Sequence, residues 1–246
     1  MMNHGAVSNY AILRKSGMAQ VNYEKRTIVA KVVYYGPAYS GKTTSLQWLY
    51  NKLDPKHVEE LHAINTEEDR TLFFDLLPIV FTELNKINLH VKLYTVPGQV
   101  KYNSTRKVVL QGVDAIVFVS DSEARRYKDN IESLKNLTDN LAEMGVNIHE
   151  IPIVLQHNKR DCAEILPLDV MDEMLNSGQW PSFGSVAISP DDSGVLESFI
   201  GILDVMVKSF VKRYLPQRTE EETEQISHKL ENELRKQIRS GWDLKI

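Results

Sequence analysis

The chain is short of several things, and each shortage excludes a class of protein. It has one cysteine, Cys162, in 246 residues, so no disulfide forms within it and an oxidised, stapled scaffold is excluded. No apolar run approaches the roughly 20 residues that a membrane-spanning helix needs. Neither sign of charge dominates: 29 Lys and Arg stand against 33 Asp and Glu, a net charge of -4 that gives no broad pull toward nucleic acid or anionic lipid. The first twenty residues, "MMNHGAVSNYAILRKSGMAQ", lack the continuous apolar core of a secretory signal. No glycine follows the initiating methionine and no prenylation cysteine stands in the closing "DLKI". The expectation is a cytoplasmic protein with no intrinsic membrane anchor.

What is present is ordinary globular material, 42% hydrophobic and 25% charged, ample for a core. Residues 1–23 show no periodicity and are expected to form a flexible leader. "TIVAKVVYY" (27–35) is a β-branched run suited to a strand buried on both faces. "GKTTSLQWLYNKL" switches to helical spacing, with Leu46, Leu49, Tyr50 and Leu53 on one side. "TLFFDLLPIVFTEL" and "NLHVKLYTV", joined by "NKIN", have the look of an antiparallel hairpin. "DAIVFVSD", "IPIVLQ" and "SVAIS" follow as strands. Between the first two lies an amphipathic helix with Ile131, Leu134, Leu137 and Leu141 as its apolar line. Such alternation predicts an α/β fold: a mostly parallel central sheet with one antiparallel hairpin strand and helices on both faces.

Composition changes at Pro216. Acidic residues come early in the tail and basic ones late, an order that complements a helix dipole. Ile226, Leu230, Leu234, Ile238 and Trp242 recur every four residues as one stripe. The predicted organisation is a leader (1–23), one domain (24–215) and a charged amphipathic C-terminal helix (216–246). The stripe is compatible with docking on the domain, with pairing to another chain and with binding an effector, while the charge on the other faces suits a solvated helix.

Gly36-Pro37-Ala38-Tyr39-Ser40-Gly41-Lys42-Thr43 fits G-x-x-x-x-G-K-[ST] without a mismatch, with a strand before it and a helix after. Successive backbone N–H groups in such a turn wrap phosphate oxygens, and the helix N-terminus, with Thr44 in its first turn, points its dipole at them. Lys42 supplies a cation for the β- and γ-phosphates, and the Thr43 hydroxyl can ligate Mg²⁺.

"NKRD", Asn158 to Asp161, ends another apolar strand about 115 residues later. A carboxylate there can accept two hydrogen bonds from guanine N1–H and its amine, which adenine cannot offer. The Lys159 stem can lie over the base, and Asn158 can brace the phosphate loop. "TVPGQ" (95–99) places Gly98 where its N–H meets a γ-phosphate, and "ISPDDSG" places the Ser189 N–H near guanine O6. Together these motifs form the pattern of a Ras-like P-loop G domain using GTP and GDP.

"NYEKRTIVAKVVYYGP", "SGKTTSLQ", "EEDRTLFFDLLP", "LYTVPGQVKYNSTRKVVLQGVDAIVFVSDS" and "NKRD" resemble the bacterial MglA family of small GTPases of cell polarity and gliding motility. The resemblance covers most of residues 22 to 214. It implies that Thr71 reaches Mg²⁺ and the γ-phosphate, that Gln99 orients the attacking water, and that Arg70 is an arginine finger supplied by the protein itself. It implies as partners a roadblock-fold MglB homodimer that activates hydrolysis, and polarity or motility effectors, with recruitment to a cell pole.

Two residues depart from expectation. Thr95 stands where most GTPases have an aspartate, a departure the family shares. Ala38 falls where the family generally carries glycine, and its methyl is expected to slow hydrolysis without abolishing it. A hydrolysis-poor GTP-binding scaffold is the alternative function that Ala38 favours. A P-loop ATPase or kinase is disfavoured by NKRD.

Overall fold

Burial along the strands alternates between two apolar clusters, and that alternation defines the layers. The computed structural model describes residues 20–22, 27–58, 60–64, 74–84 and 87–238. Its strands are β1 (Gln20–Asn22), β2 (Thr27–Tyr35), β3 (His62–Ile64), β4 (Phe74–Leu84), β5 (Ile87–Thr95), β6 (Ala115–Asp121), β7 (Ile153–Asn158) and β8 (Ser182–Gly184). Its α-helices are α1 (Lys42–Lys52), α2 (Asn103–Leu110), α3 (Tyr127–Glu143), α4 (Leu168–Leu175), α5 (Gly194–Tyr214) and α6 (Glu220–Lys236).

In β2, Ala30, Val32 and Tyr34 face one cluster while Val33 and Tyr35 face the other. Ala115, Val117 and Val119 of β6 join the first, Ile116 and Phe118 the second. The first cluster is closed by α1, α5 and α6, through Leu46, Phe199, Met206, Leu230 and Leu234 among others. The second is closed by α2, α3 and α4, through Val109, Leu137, Leu141 and Met171. Burial on both faces is what the continuous apolar runs of β2, β6 and β7 require.

The strand order among the described residues is β3-β4-β5-β2-β6-β7-β8. β5, β2, β6, β7 and β8 run parallel, and β4 pairs antiparallel with β5, with a register shift between Phe81 and Leu84. The hairpin predicted around "NKIN" is therefore present. The loops after β2, β5, β6, β7 and β8 all emerge at the carboxyl edge, where open α/β sheets bind ligands.

Four local expectations change. Gln20–Asn22, inside the segment read as a leader, pairs antiparallel with Thr27–Val29. The edge it takes is open because β6 pairs with β2 only from Val32 onward. The last strand is Ser182–Gly184, immediately before "SVAIS", which is loop. Tyr50 and Ile131 sit at the margins of their helices and are exposed, whereas Trp48 is buried with its Nε1–H donated to the Ser189 carbonyl at 2.9 Å. Arg70, Thr71 and Trp242 lie outside the described residues.

The tail helix α6 is docked on the domain. Thr219 and Glu222 form a capping box at its start, and three glutamates occupy its first turn. Leu230 and Leu234 are buried in the first cluster, with Ile226 and Ile238 packed against it. The Arg235 guanidinium holds both Glu197 carboxylate oxygens, at 3.1 and 3.0 Å. Past the helix, the Gln237 carbonyl accepts the Asp54 N–H at 2.9 Å. Leu234→Ala should cost about 3 kcal/mol in a denaturant titration, the usual range for emptying a fully buried leucine site. A solvated helix would lose almost nothing.

Candidate functional site

Between β2 and α1 the chain makes the turn that the motif demands. Gly41 adopts φ 98° and precedes the helix, and a Cβ there would lie 2.1 Å from the Asn158 amide nitrogen. Tyr39, not Ala38, takes the left-handed conformation, with φ 66° and its ring exposed. A non-glycine residue held there stores strain of the kind found at ligand loops. The Lys42 Nζ donates to the Pro37 carbonyl at 2.6 Å and the Gly36 carbonyl at 3.2 Å, so the ammonium lies inside the turn. No acidic residue occupies the first turn of α1, and Thr43 is exposed there with Thr44 half-buried beside it. An anion is favoured at such a helix start.

Asn158 ties three loops together. Its amide Nδ2 donates to the Ser40 carbonyl at 2.8 Å, while its Oδ1 accepts from the Ala187 N–H at 3.0 Å and the Ser185 hydroxyl at 3.1 Å. Lys159 has φ 66° and reaches Asp121 at 2.7 Å and Glu123 at 3.3 Å. Burial works against its ammonium, but the bond to Asp121, with Glu123 added, holds its pKa above the ordinary lysine value. Asp161 lines an open cleft of about 500 Å³ with Val186, Ile188, Ser189, Asp191 and Asp192. The Ser189 N–H, assigned from sequence to a base oxygen, donates instead to the Val186 carbonyl at 2.8 Å. A base at that position would have to share or displace this turn bond.

The segment after β5 closes the other side. Thr95 is buried and Gln99 exposed. Gly98 lies so close to the phosphate loop that a Cβ on it would stand 2.3 Å from the Ala38 Cα. Motif reading missed two arginines. Arg126, 28% exposed, donates to the Ala38 carbonyl at 2.9 Å and pairs with Asp129 at 2.6 Å. Arg106 is wholly buried and donates to the Pro97 and Gly98 carbonyls at 2.9 and 2.6 Å. Arg106 lies within a stretch that carries the family resemblance but was given no role, and Arg126 falls in no motif; the hint was Asn140, a polar residue on the same helical face as Leu137 and Leu141.

Fold and loops together define a class. Residues 31–164, more than half of the chain, match the Gtr1/RagA G protein conserved region, and the sheet is that of a Ras-like P-loop domain. The chain is also 43% identical over 195 residues to the mutual gliding-motility protein MglA of Myxococcus xanthus (strain DK1622), covering 79% of this chain and 99% of that protein. The chain belongs to the MglA family of small GTPases.

His157, directly before Asn158, sets a pH limit on this site. Its ring nitrogens face the Ser120 hydroxyl at 2.7 Å and the Asp172 carboxylate at 3.0 Å. Burial pushes its pKa below the ordinary value of 6.5, with Asp172 working in the opposite direction. The folded protein thus keeps this ring neutral where the unfolded chain would protonate it, so its contribution is complete above pH 6.5 and declines below. Stability should fall as pH is lowered from 7 to 5, and His157→Gln should flatten that decline. Urea midpoints at each pH provide the check.

Proposed function

We propose that the protein is a GTP-hydrolysing switch that controls cell polarity or motility through effectors. The observation that carries the reading is the Asn158 side chain, bonded to the phosphate loop at Ser40 and to the loop that walls the Asp161 cleft. It supports the reading because it holds the glycine turn and the Asp161 turn in one frame. Gly36 to Thr44 would hold the phosphates, Asp161 the base, Lys159 its face and the 186–189 loop its edge. The donor set suits GTP with Mg²⁺: the Lys42 ammonium lies inside the turn, no acidic residue stands in the first turn of α1, and Thr43 offers a hard hydroxyl oxygen of the kind Mg²⁺ prefers. Thr43, with Thr71, would hold the ion, which when bound offsets charge on the phosphates.

Hydrolysis requires positioning and charge stabilisation more than covalent chemistry. Gln99 would orient the water, Gly98 would sense the γ-phosphate, and Arg70 would stabilise the transferring group, an effect on the order of 10³–10⁵ in rate for such arginines. Turnover unaided would be slow, and a roadblock-fold MglB-type homodimer is the activator expected for a protein so similar to MglA. Release of the loops around 57–71 and 98–108 after hydrolysis would end effector binding.

The second reading, a hydrolysis-poor scaffold, draws on one closeness: Gly98 approaches the Ala38 backbone, so residue 38 borders the segment that carries Gln99. In single-turnover assays Gln99→Leu and Arg70→Ala should each slow hydrolysis at least about tenfold, roughly 1.4 kcal/mol of barrier. If the wild-type rate is already negligible and neither variant changes it, the scaffold reading holds. Ala38→Gly should raise the rate about threefold to tenfold. Asp161→Asn should weaken GTP binding and favour xanthine nucleotide; unchanged base preference in competition binding would refute the base assignment.

A further inference from the structure

Arg106 is the largest wholly buried side chain among the described residues, and no carboxylate there pairs with it. Burying a guanidinium without a counter-ion is costly, and an apolar residue of similar volume generally serves stability as well or better. The bonds this one makes are directional. Its Nε–H goes to the Pro97 carbonyl and its Nη2–H to the Gly98 carbonyl, so one planar fork grips two consecutive peptide units. Its Nη1–H goes to Asn136 Oδ1 at 2.6 Å, and the guanidinium lies 5.2 Å from the centre of the Tyr35 ring.

The carbonyls fix the amides. In a planar trans peptide the C=O and the following N–H point in opposite directions. Holding the Pro97 oxygen therefore turns the Gly98 N–H away from Arg106, and holding the Gly98 oxygen does the same to the Gln99 N–H. The glycine between them touches the phosphate loop at Ala38.

The fork is itself immobilised. Asn136 Oδ1 also accepts the Tyr35 hydroxyl at 2.6 Å, and the Asn136 amide donates to Asn103 Oδ1 at 3.0 Å. Asn140 donates to the same Asn103 oxygen at 2.8 Å and to the Tyr35 hydroxyl at 3.1 Å. Tyr35 is the last residue before the phosphate loop, so the network refers the 97–99 segment to the strand on which that loop is built.

We propose that Arg106 is a positioning residue for the triphosphate state: by clamping the Pro97 and Gly98 carbonyls it aims the Gly98 and Gln99 N–H groups at the γ-phosphate site. This rests on the proposed role of Gly98 as γ-phosphate sensor. Lysine is a poor replacement, because one Nζ cannot reproduce the separate donor positions with which the planar fork holds the Pro97 and Gly98 carbonyls and Asn136 together.

The test is the ratio of affinities for GDP and a non-hydrolysable GTP analogue, measured for the wild type, Arg106→Lys and Arg106→Ala. Arg106→Lys should bind GDP within about twofold of wild type and lose about tenfold for the analogue, the scale of one hydrogen bond to a charged group. Arg106→Lys is the decisive variant should Arg106→Ala fail to fold. Equal losses for both nucleotides, or none, overturn the proposal, because a merely structural arginine would not distinguish them. Glycine-selective ¹⁵N spectra separate the two layers of the argument. In wild type the Gly98 amide should shift when the analogue replaces GDP, and Arg106→Lys should reduce the shift. A wild-type shift that persists unchanged in Arg106→Lys removes Arg106 and leaves the sensor reading intact. No wild-type shift at all removes both.

Discussion

Three hydrogen bonds from one carboxamide hold the site together. The Asn158 side chain cannot be turned over without loss: Ser40 offers it a carbonyl, which needs a donor, and Ala187 offers an N–H, which needs an acceptor. Its orientation is therefore dictated by the loops it joins, and in return it fixes the distance between them. Gly41 must be glycine for the same reason, since its missing Cβ is the space the carboxamide occupies. Replacing either residue would leave buried polar groups unpaired in the middle of the site, a penalty larger than the net worth of the bonds themselves. The phosphate loop, the NKRD turn and the loop after β8 are thus one unit despite lying far apart in sequence.

Much of this was legible from the chain because local patterns and the global fold agree. The runs 27–35, 114–121 and 151–156 are continuous and apolar, which only a sheet covered on both faces can use, and the alternation with helical spacing gave the parallel order. The phosphate loop and NKRD declare themselves through spacing. What stayed hidden had no local signature. "SVAIS" has strand composition, yet its backbone is committed to Asn158 and to its own turn. Ile131 falls on the helical period but beyond the cluster's edge. Arg106 stands in "STRKVV", where an arginine looks like solvent-facing charge, and only tertiary placement reveals it as buried. The roles given to Arg70 and Thr71 come from the family resemblance alone, and both residues lie outside the described residues.

The two arginines and Lys159 show a common arrangement. Each sets a cation against protein oxygens at the carboxyl edge of the sheet, Lys159 on Asp121, Arg126 on the Ala38 carbonyl and Arg106 on Pro97 and Gly98. The chain spends these cations on protein oxygens to hold loops still. A polyanionic ligand then meets backbone donors already in place, which lowers the ordering cost of binding.

The docked tail helix carries a different consequence. Leu230 and Leu234 share one apolar cluster with α1 and α5, and the Gln237 carbonyl is bonded to Asp54, at the end of the helix that begins with the phosphate loop. Such contacts merge the tail with the domain into one cooperative unit, so its amide protons should exchange with solvent on the timescale of domain opening, not of a fraying end. The four-residue stripe is then an address within the chain's own core, and a bulky fusion spliced between α5 and α6 would be felt at the phosphate loop.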